Sequence, residues 1–391
     1  DLDKSNDDIT KVIVSIHGAG RTAVTYADRM EDAADIAGHD HSAVIAPQFL
    51  IKEDIDKYGL PDDTLYWNGW WRHGYDSQGG TGKSSSFEAM NQVLLRLADK
   101  DAYPNVEEIV IAGMSAGGQF VNRYAAGGTA EDEARPDISW QYVVSNSSTY
   151  LYMSNERVVD GTLDEFEVPD NPGTWSYNDY YHGLDDLNNY MEEIGAAQLR
   201  ENYASREVVY LLGEEDNDPN DPSLATGSAS MLQGDHRLER AIIYFNHLQE
   251  EFGADILDRQ QLIIVDDAGH SSREMFNSPE FIELVFSDDD SDPVDLHNSG
   301  HFYFSLTSSD SDNVLDLSGG YARDEDIVAF DGDTFRKIFD GSDVGVTGDI
   351  DAFAVLSSNQ ILFSLTGSTS LAGVGSVDDS DVVMFSASQW G

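Results

Sequence analysis

Between Lys11 and about Ser287 the apolar positions of the chain alternate between two textures. Short, nearly continuous runs occur at KVIVSI (11–16), SAVIAPQ (42–48), EIVIAG (108–113), WQYVVSN (140–146), REVVYLLG (206–213) and QLIIVDD (261–267). Runs of this length without a polar face predict strands buried on both sides. Between them, SSFEAMNQVLLRLADK (85–100), GGQFVNRYAAG (117–127) and HRLERAIIYFNHLQEEFG (236–253) space their apolar residues at helical intervals, and the last ends at a glycine. Strand–helix alternation of this kind predicts an α/β domain with a mostly parallel sheet flanked by helices.

The texture changes at SDDDSDPVD (287–295), an acidic, proline-containing break. The pattern therefore predicts a domain over 1–287, a linker over 288–297 and a smaller all-β domain over 298–391. In the last segment HFYFSLTS, DIVAFDGDTFRKIFDG, DIDAFAVLSSNQILFSLTG and DVVMFSAS are short alternating runs separated by turn residues, the signature of hairpins. They carry a degenerate repeat. FYFSLT (302–307) returns as ILFSLT (361–366), and DIVAF (326–330) as DIDAF (349–353) and DVVMF (381–385). This β-domain shows no catalytic constellation, and a polysaccharide or a surface is its candidate ligand.

Charge narrows the partners. The 391 residues include 73 Asp and Glu against 22 Lys and Arg, a formal net charge of −51, with the acids spread along the chain. Such a surface repels nucleic acid and anionic membranes. It stays hydrated in concentrated salt, which screens its self-repulsion, so the expectation is a halophilic protein. There is no cysteine, which excludes disulfides, thiolate chemistry and Cys-ligated metals. No apolar run reaches bilayer length. The N-terminal DLDKSNDD is polar and carries no signal-peptide pattern. The expectation is a mature, secreted chain.

One strand–helix junction holds chemistry. EEIVIAGMSAGGQF (107–120) runs a buried strand into Gly113, Met114, Ser115, Ala116, Gly117 and Gly118 and then into a helix. A serine hydroxyl becomes a useful nucleophile when a base takes its proton and a tight turn exposes it. G-x-S-x-G between strand and helix provides that turn, so Ser115 is the candidate nucleophile. The oxyanion that forms on attack needs two backbone N–H donors. Ala116, next in sequence, is one candidate. The small residues after His17-Gly18 supply the other, with Ala19 first and Gly20 second. His17 itself reads as support for that loop.

The base is expected in a late loop. Of the ten histidines, His270 follows the strand QLIIVDD through AGH. His17 supports the early loop, His39 and His41 precede the second strand, and the others fall on a helix, in insertions, at the linker or in the β-domain. The acid is expected between serine and histidine in chain order, after a strand. VVYLLGEEDNDPND (208–221) supplies Asp216 in the pattern G-x-x-D, with Asp218 and Glu215 as competitors. The same loop fails as an EF-hand, lacking the glycine and terminal glutamate that loop requires.

Strand order, elbow, the order Ser–Asp–His and the HGAG loop together resemble the α/β-hydrolase superfamily over about residues 10–286. VIAPQFL, SSFEAMNQVL, PNVEEIVIAGMSAGGQFVNRYA, VVSNSSTYLY, YNDYYHGL, YLLGEEDNDPNDP and QGDHRLERA resemble a little-characterised microbial group within it. That group commonly has histidine before the nucleophile, where this chain has Met114. The resemblance implies a Ser–Asp–His hydrolase and supplies no substrate.

Two aromatic insertions, LYWNGWWRHGYDS (65–77) and TWSYNDYYHG (174–183), suit a cap over such a site. Trp67, Trp70, Trp71, Tyr75, Tyr150 and Trp175 are the candidate substrate-binding residues, fit for an acyl chain, an aromatic ester or a sugar ring. GGTGKSS (79–85) is not a phosphate loop, because Ser77 stands where the first glycine belongs. No H-E-x-x-H pair suggests zinc. No cofactor is expected. Asp324, Asp326, Asp378, Asp379 and Asp381 recur before the β-runs and are candidates for structural Ca²⁺, with solvated turns as the competing reading. The expected substrate is an ester-bearing small molecule or polymer. A peptidase or amidase is the alternative within the same chemistry. A non-catalytic binding protein on a hydrolase scaffold is the alternative outside it.

Overall fold

A computed structural model describes residues 5–39, 41–80, 82–170, 172–174, 176–286 and shorter segments between 302 and 386. By contacts the chain divides into two compact units, Asp1–Ser287 and Asp288–Gly391.

The first unit is built on a six-stranded parallel sheet. Its strands are β1 (Lys11–Ile16), β2 (Ser42–Ile45), β3 (Glu108–Met114), β4 (Ser139–Ser145), β5 (Val208–Gly213) and β6 (Gln260–Val265), in the spatial order β2-β1-β3-β4-β5-β6. The edge strand β2 is shorter than its apolar run because Pro47 has no N–H to give a ladder. Side chains alternate across the strands, and both faces are buried, which is why the strands read as unbroken apolar runs. Val12, Val14, Ile16, Ile109, Ile111 and Val144 enter one core with Phe87, Leu94, Phe120, Tyr124 and Tyr244. Ile13, Val110, Ala112, Val143, Leu211 and Val265 enter a second with Tyr26, Met30, Met275, Phe276 and Phe281.

The first core is supplied by helices α2 (Ser86–Leu97), α3 (Ala116–Gly127) and α4 (Arg237–Phe252). The second is supplied by α1 (Ala23–Ala37), α5 (Ser272–Phe276) and α6 (Pro279–Phe286). Hydrophobic periodicity announces α1 poorly, because alanines fill much of its inward stripe of Ala23, Tyr26, Met30 and Ala33. It ends at Gly38, whose φ of 68° and N–H bonds to Ala34 and Asp35 carbonyls form a left-handed cap. Each large apolar side chain so buried contributes about 1.5–3 kcal/mol before chain entropy is counted.

The second unit is antiparallel. Phe302–Ser305, Asp326–Phe330 and Phe335–Asp340 form one three-stranded sheet, and Ile350–Ser357, Gln360–Leu365 and Val383–Ser386 another. The two copies of the repeated run pair alike. Phe304 lies opposite Val328, and its counterpart Phe363 opposite Val383. Ile327, Phe339, Ile350, Ile361, Phe363 and Leu365 are buried together. The expected linker 288–297 lies outside the described residues, as do Asp324, Asp378 and Asp379. Asp326 is buried and pairs with Lys337 at 2.9 Å. Among the described residues no cluster of three or more His, Asp or Glu is arranged to hold a metal ion. Nor is any described helix long and apolar enough to cross a membrane.

Candidate active site

Strand β3 delivers the chain to Ser115, which adopts φ 61° and ψ −117° before α3 begins at Ala116. Positive φ is costly for a residue with a side chain and persists only where the surroundings impose it. Here the surroundings are backbone. A Cβ on Gly117 would lie 2.2 Å from the Ile16 carbonyl oxygen, and one on Gly118 would lie 2.5 Å from that of Ser145. The Ser115 N–H donates to the Ser145 carbonyl at 3.0 Å. The elbow is thus wedged between the ends of β1 and β4, with Ser115 half-buried. Met114 accepts a hydrogen bond on its sulfur from the Tyr26 hydroxyl at 3.9 Å.

The loop after β1 turns beside the elbow. His17 is buried and tied at both ring nitrogens, Nδ1 to the Gly18 carbonyl at 2.9 Å and Nε2 to the Phe49 N–H at 3.1 Å. Burial drives its pKa down to about 4, so it is a neutral strut. Ala19 and Gly20 are exposed at the tip. Ala116 occupies the first turn of α3, where N–H groups lack intrahelical acceptors.

The structure brings His270 and Asp216 together. His270 Nδ1 lies 2.6 Å from Asp216 Oδ2. The two competitors for the acid, Glu215 and Asp218, are exposed, whereas Asp216 is buried. Its other oxygen, Oδ1, accepts from Arg237 Nη1 at 2.9 Å, and Arg237 Nη2 reaches Ser223 Oγ at 2.8 Å and Asp221 Oδ1 at 3.3 Å. Asn146 joins this pair to the elbow. It follows Ser145, donates from Nδ2 to the Gly269 carbonyl at 3.1 Å, and accepts on Oδ1 from the Gly213 N–H at 2.9 Å. Gly213 itself admits the base loop, since a Cβ there would lie 2.4 Å from the Ala268 carbonyl oxygen. In this resting arrangement the Ser115 hydroxyl has no hydrogen bond among the described residues.

The remaining described histidines are engaged otherwise. His182 and His247 are driven down to about 3 by burial, with neighbouring arginines adding to the effect, and His73 falls well below its usual value for the same reasons. His236 caps α4, and His39 and His41 bond Ser42 and the Asp8 carbonyl.

The aromatic residues separate into two classes. Trp67 is 4% exposed and Trp71 1%, packed with Phe49 and Phe120, and Tyr150 is fully buried against Tyr244. These three are core residues and not walls of an open cleft. Burial of their whole ring surface outweighed exposure at a site. Trp70 is 52% exposed with φ 63°, and Tyr75 is half-buried. Both line a pocket of about 280 Å³ with Asp76, Lys83, Asn188 and Tyr190, and none of Ser115, Asp216 and His270 lines it. Trp175 lies outside the described residues. Asn146 and Arg237 are site residues that the sequence did not announce. The only local signal was their place, one after β4 and the other opening α4.

No protein-family model matches the chain, and no curated protein matches it in sequence. It is similar to the solved structure of poly(aspartic acid) hydrolase-1 from Sphingomonas sp. KT-1, at 23% identity over 73% of this chain and 90% of that one, with a TM-score of 0.48. It is also similar to a poly(3-hydroxybutyrate) depolymerase from Bordetella parapertussis, at 20% identity over 69% and 76%, TM-score 0.44. An IroE-like serine hydrolase from Shewanella oneidensis matches at 12% identity over 72% and 73%, TM-score 0.36.

Proposed function

We propose that the protein is a serine hydrolase that cleaves carboxylic esters through an acyl-enzyme. The observation that carries this reading is the 2.6 Å contact between His270 Nδ1 and the buried Asp216, on a loop tied through Asn146 to the elbow that strains Ser115. With Nδ1 facing the carboxylate, His270 presents Nε2 as the base. Ser115 Oγ attacks the acyl carbon while its proton passes to Nε2. Asp216 stabilises the imidazolium, and the N–H groups of Ala116 and Ala19 receive the oxyanion. The proton then goes to the departing alcohol oxygen as its bond to carbon breaks. Water, deprotonated by the same nitrogen, releases the acid. The hydrogen bond between nucleophile and base in such sites often forms fully only when substrate binds. An ester is preferred over an amide because an alcohol leaves without the demanding protonation that an amine needs.

A fluorophosphonate probe and a series of p-nitrophenyl esters of rising chain length, beside peptide and polyester substrates, test this directly. The probe should label Ser115, and S115A and H270A should each lose nearly all ester turnover because nucleophile and base act as a unit. Losses of only a few-fold, or a folded protein that the probe leaves unlabelled, would favour the non-catalytic reading.

A further inference from the structure

Three guanidinium groups gather behind the proposed oxyanion loop, and the carboxylate that acts on them is Asp54, near Arg21. Arg21 follows the oxyanion loop, with its N–H on the Gly18 carbonyl at 3.1 Å and its guanidinium 5.9 Å from the centre of the Trp71 ring. Trp71 in turn packs its ring 4.6 Å from that of His17. Arg72 is the next residue, and its Nε donates to His73 Nε2 at 3.1 Å. The His73 ring stacks on Tyr181 at 3.7 Å. Arg123 donates to the Tyr181 carbonyl and also to that of Gln119, one turn after Ser115 on α3. The cluster therefore spans from the oxyanion loop to the first turn of the nucleophile helix.

None of the three makes a salt bridge among the described residues. Arginines elsewhere are divided: Arg157 and Arg240 also bond carbonyls and make no ion pair among the described residues, whereas others pair with carboxylates. Arg206 pairs with Glu131 and Asp132, Arg237 with Asp216 and Asp221, and Arg135 with Asp137. With 73 acidic residues in the chain, a counter-ion was easily supplied. Its omission leaves positive potential at this cluster on a protein whose surface otherwise repels anions. Arg123 is fully buried and spends its donors on carbonyls and Thr149. Arg72 is different. It is half-buried, and both terminal nitrogens are without partners among the described residues. A guanidinium fork with free donors matches a carboxylate in both charge and geometry.

We infer that Arg72, backed by Arg21 and Arg123, binds a carboxylate carried by the substrate, so that the preferred substrates are esters bearing a negative charge near the acyl group. This rests on the serine hydrolase reading, and it deepens that reading by naming a substrate class.

The test compares monomethyl adipate with dimethyl adipate, following methanol release at low ionic strength by wild type, R72Q and R72K. Wild type should favour the half-ester in kcat/KM, and the half-ester to diester ratio should fall at least tenfold in R72Q. R72K, which keeps the charge but loses the fork, should fall between them. No preference in wild type, or an unchanged ratio in R72Q, overturns the proposal. Calorimetric binding of adipate to S115A and to S115A/R72Q separates the two layers of the argument. If the fluorophosphonate leaves Ser115 unlabelled, the hydrolase reading fails, while loss of adipate binding on Arg72 substitution still supports the anion site. Equal adipate binding by both proteins overturns it.

Discussion

Asp216 divides its two oxygens between His270 and Arg237, both at hydrogen-bond distance, and it is buried while doing so. The bond from Arg237 Nη1 to Oδ1 holds the carboxylate with Oδ2 toward the imidazole. An amide in place of the carboxylate would present an N–H to one of these two donors and lose the charge that stabilises the imidazolium. D216N should therefore lower kcat by about 10⁴-fold, as loss of an orienting carboxylate does in serine-hydrolase triads. D218N, at an exposed position, should change kcat little. Steady-state ester hydrolysis by the two variants decides it, and a larger loss in D218N would move the acid.

At the scale of elements, the junction of β3 and α3 is set by glycines that keep neighbouring backbones in contact. Gly117 meets β1 and Gly118 meets β4. G117A places a methyl against carbonyl oxygen rather than against a movable side chain. Overpacking of this kind costs about 1–3 kcal/mol even where side chains can yield. G117A should lower the free energy of unfolding measured in urea by at least that much and displace Ser115, with kcat falling alongside. A variant of wild-type stability and activity would mean the elbow is looser than these contacts require. These elements were the most legible part of the chain. β1, β3, β4, β5 and β6 begin and end within about two residues of their apolar runs, because burial on both faces leaves an unbroken signal. Ser115, Asp216 and His270 could be marked because each follows a strand end. Arg237 and Asn146 could not be marked, because their contacts with Asp216, Gly213 and Gly269 depend on which loops meet in space. Trp67, Trp71 and Tyr150 misled for a related reason. An aromatic residue outside the regular elements looks the same in sequence whether it faces a ligand or a core.

For the whole molecule, charge and buried imidazoles set the response to solution conditions. His17, with a pKa near 4, and His182 and His247, near 3, are neutral when folded, chiefly through burial, and His73 is also depressed. Unfolded, each returns to about 6.5. Above that pH neither state binds the protons and stability does not change on their account. As pH falls below 6.5 the unfolded chain takes them up first, so stability falls, by roughly 1.5 kcal/mol per histidine by pH 5. Melting in 1 M NaCl should show Tm dropping by several degrees from pH 6.5 to 5. A flat Tm across that window would mean these rings are not held neutral. The net charge of −51 predicts a separate effect at constant pH. The Debye length shrinks from about 30 Å at 0.01 M salt to about 3 Å at 1 M. Tm should therefore rise from dilute buffer to 1 M NaCl, with chelator present to remove any contribution from Ca²⁺. A flat or falling Tm would contradict adaptation to saline surroundings.

Asn146 stands at φ 43° and bonds Gly213 with one end of its amide and Gly269 with the other. The last N–H of β5 is thus held by a side chain. Most strand amides exchange with solvent deuterium at a rate set by the opening of their ladder. The amide of Gly213 should instead report on the seam between elbow and base loop, an opening invisible to the strands on either side. In N146A that one amide should exchange orders of magnitude faster while its neighbours Leu211 and Leu212 keep their protection. The Gly213 amide would then be a clock for the assembly of the three loops, readable by NMR with no substrate present. Unaltered protection of Gly213 in N146A would show that the seam is held by something other than this side chain.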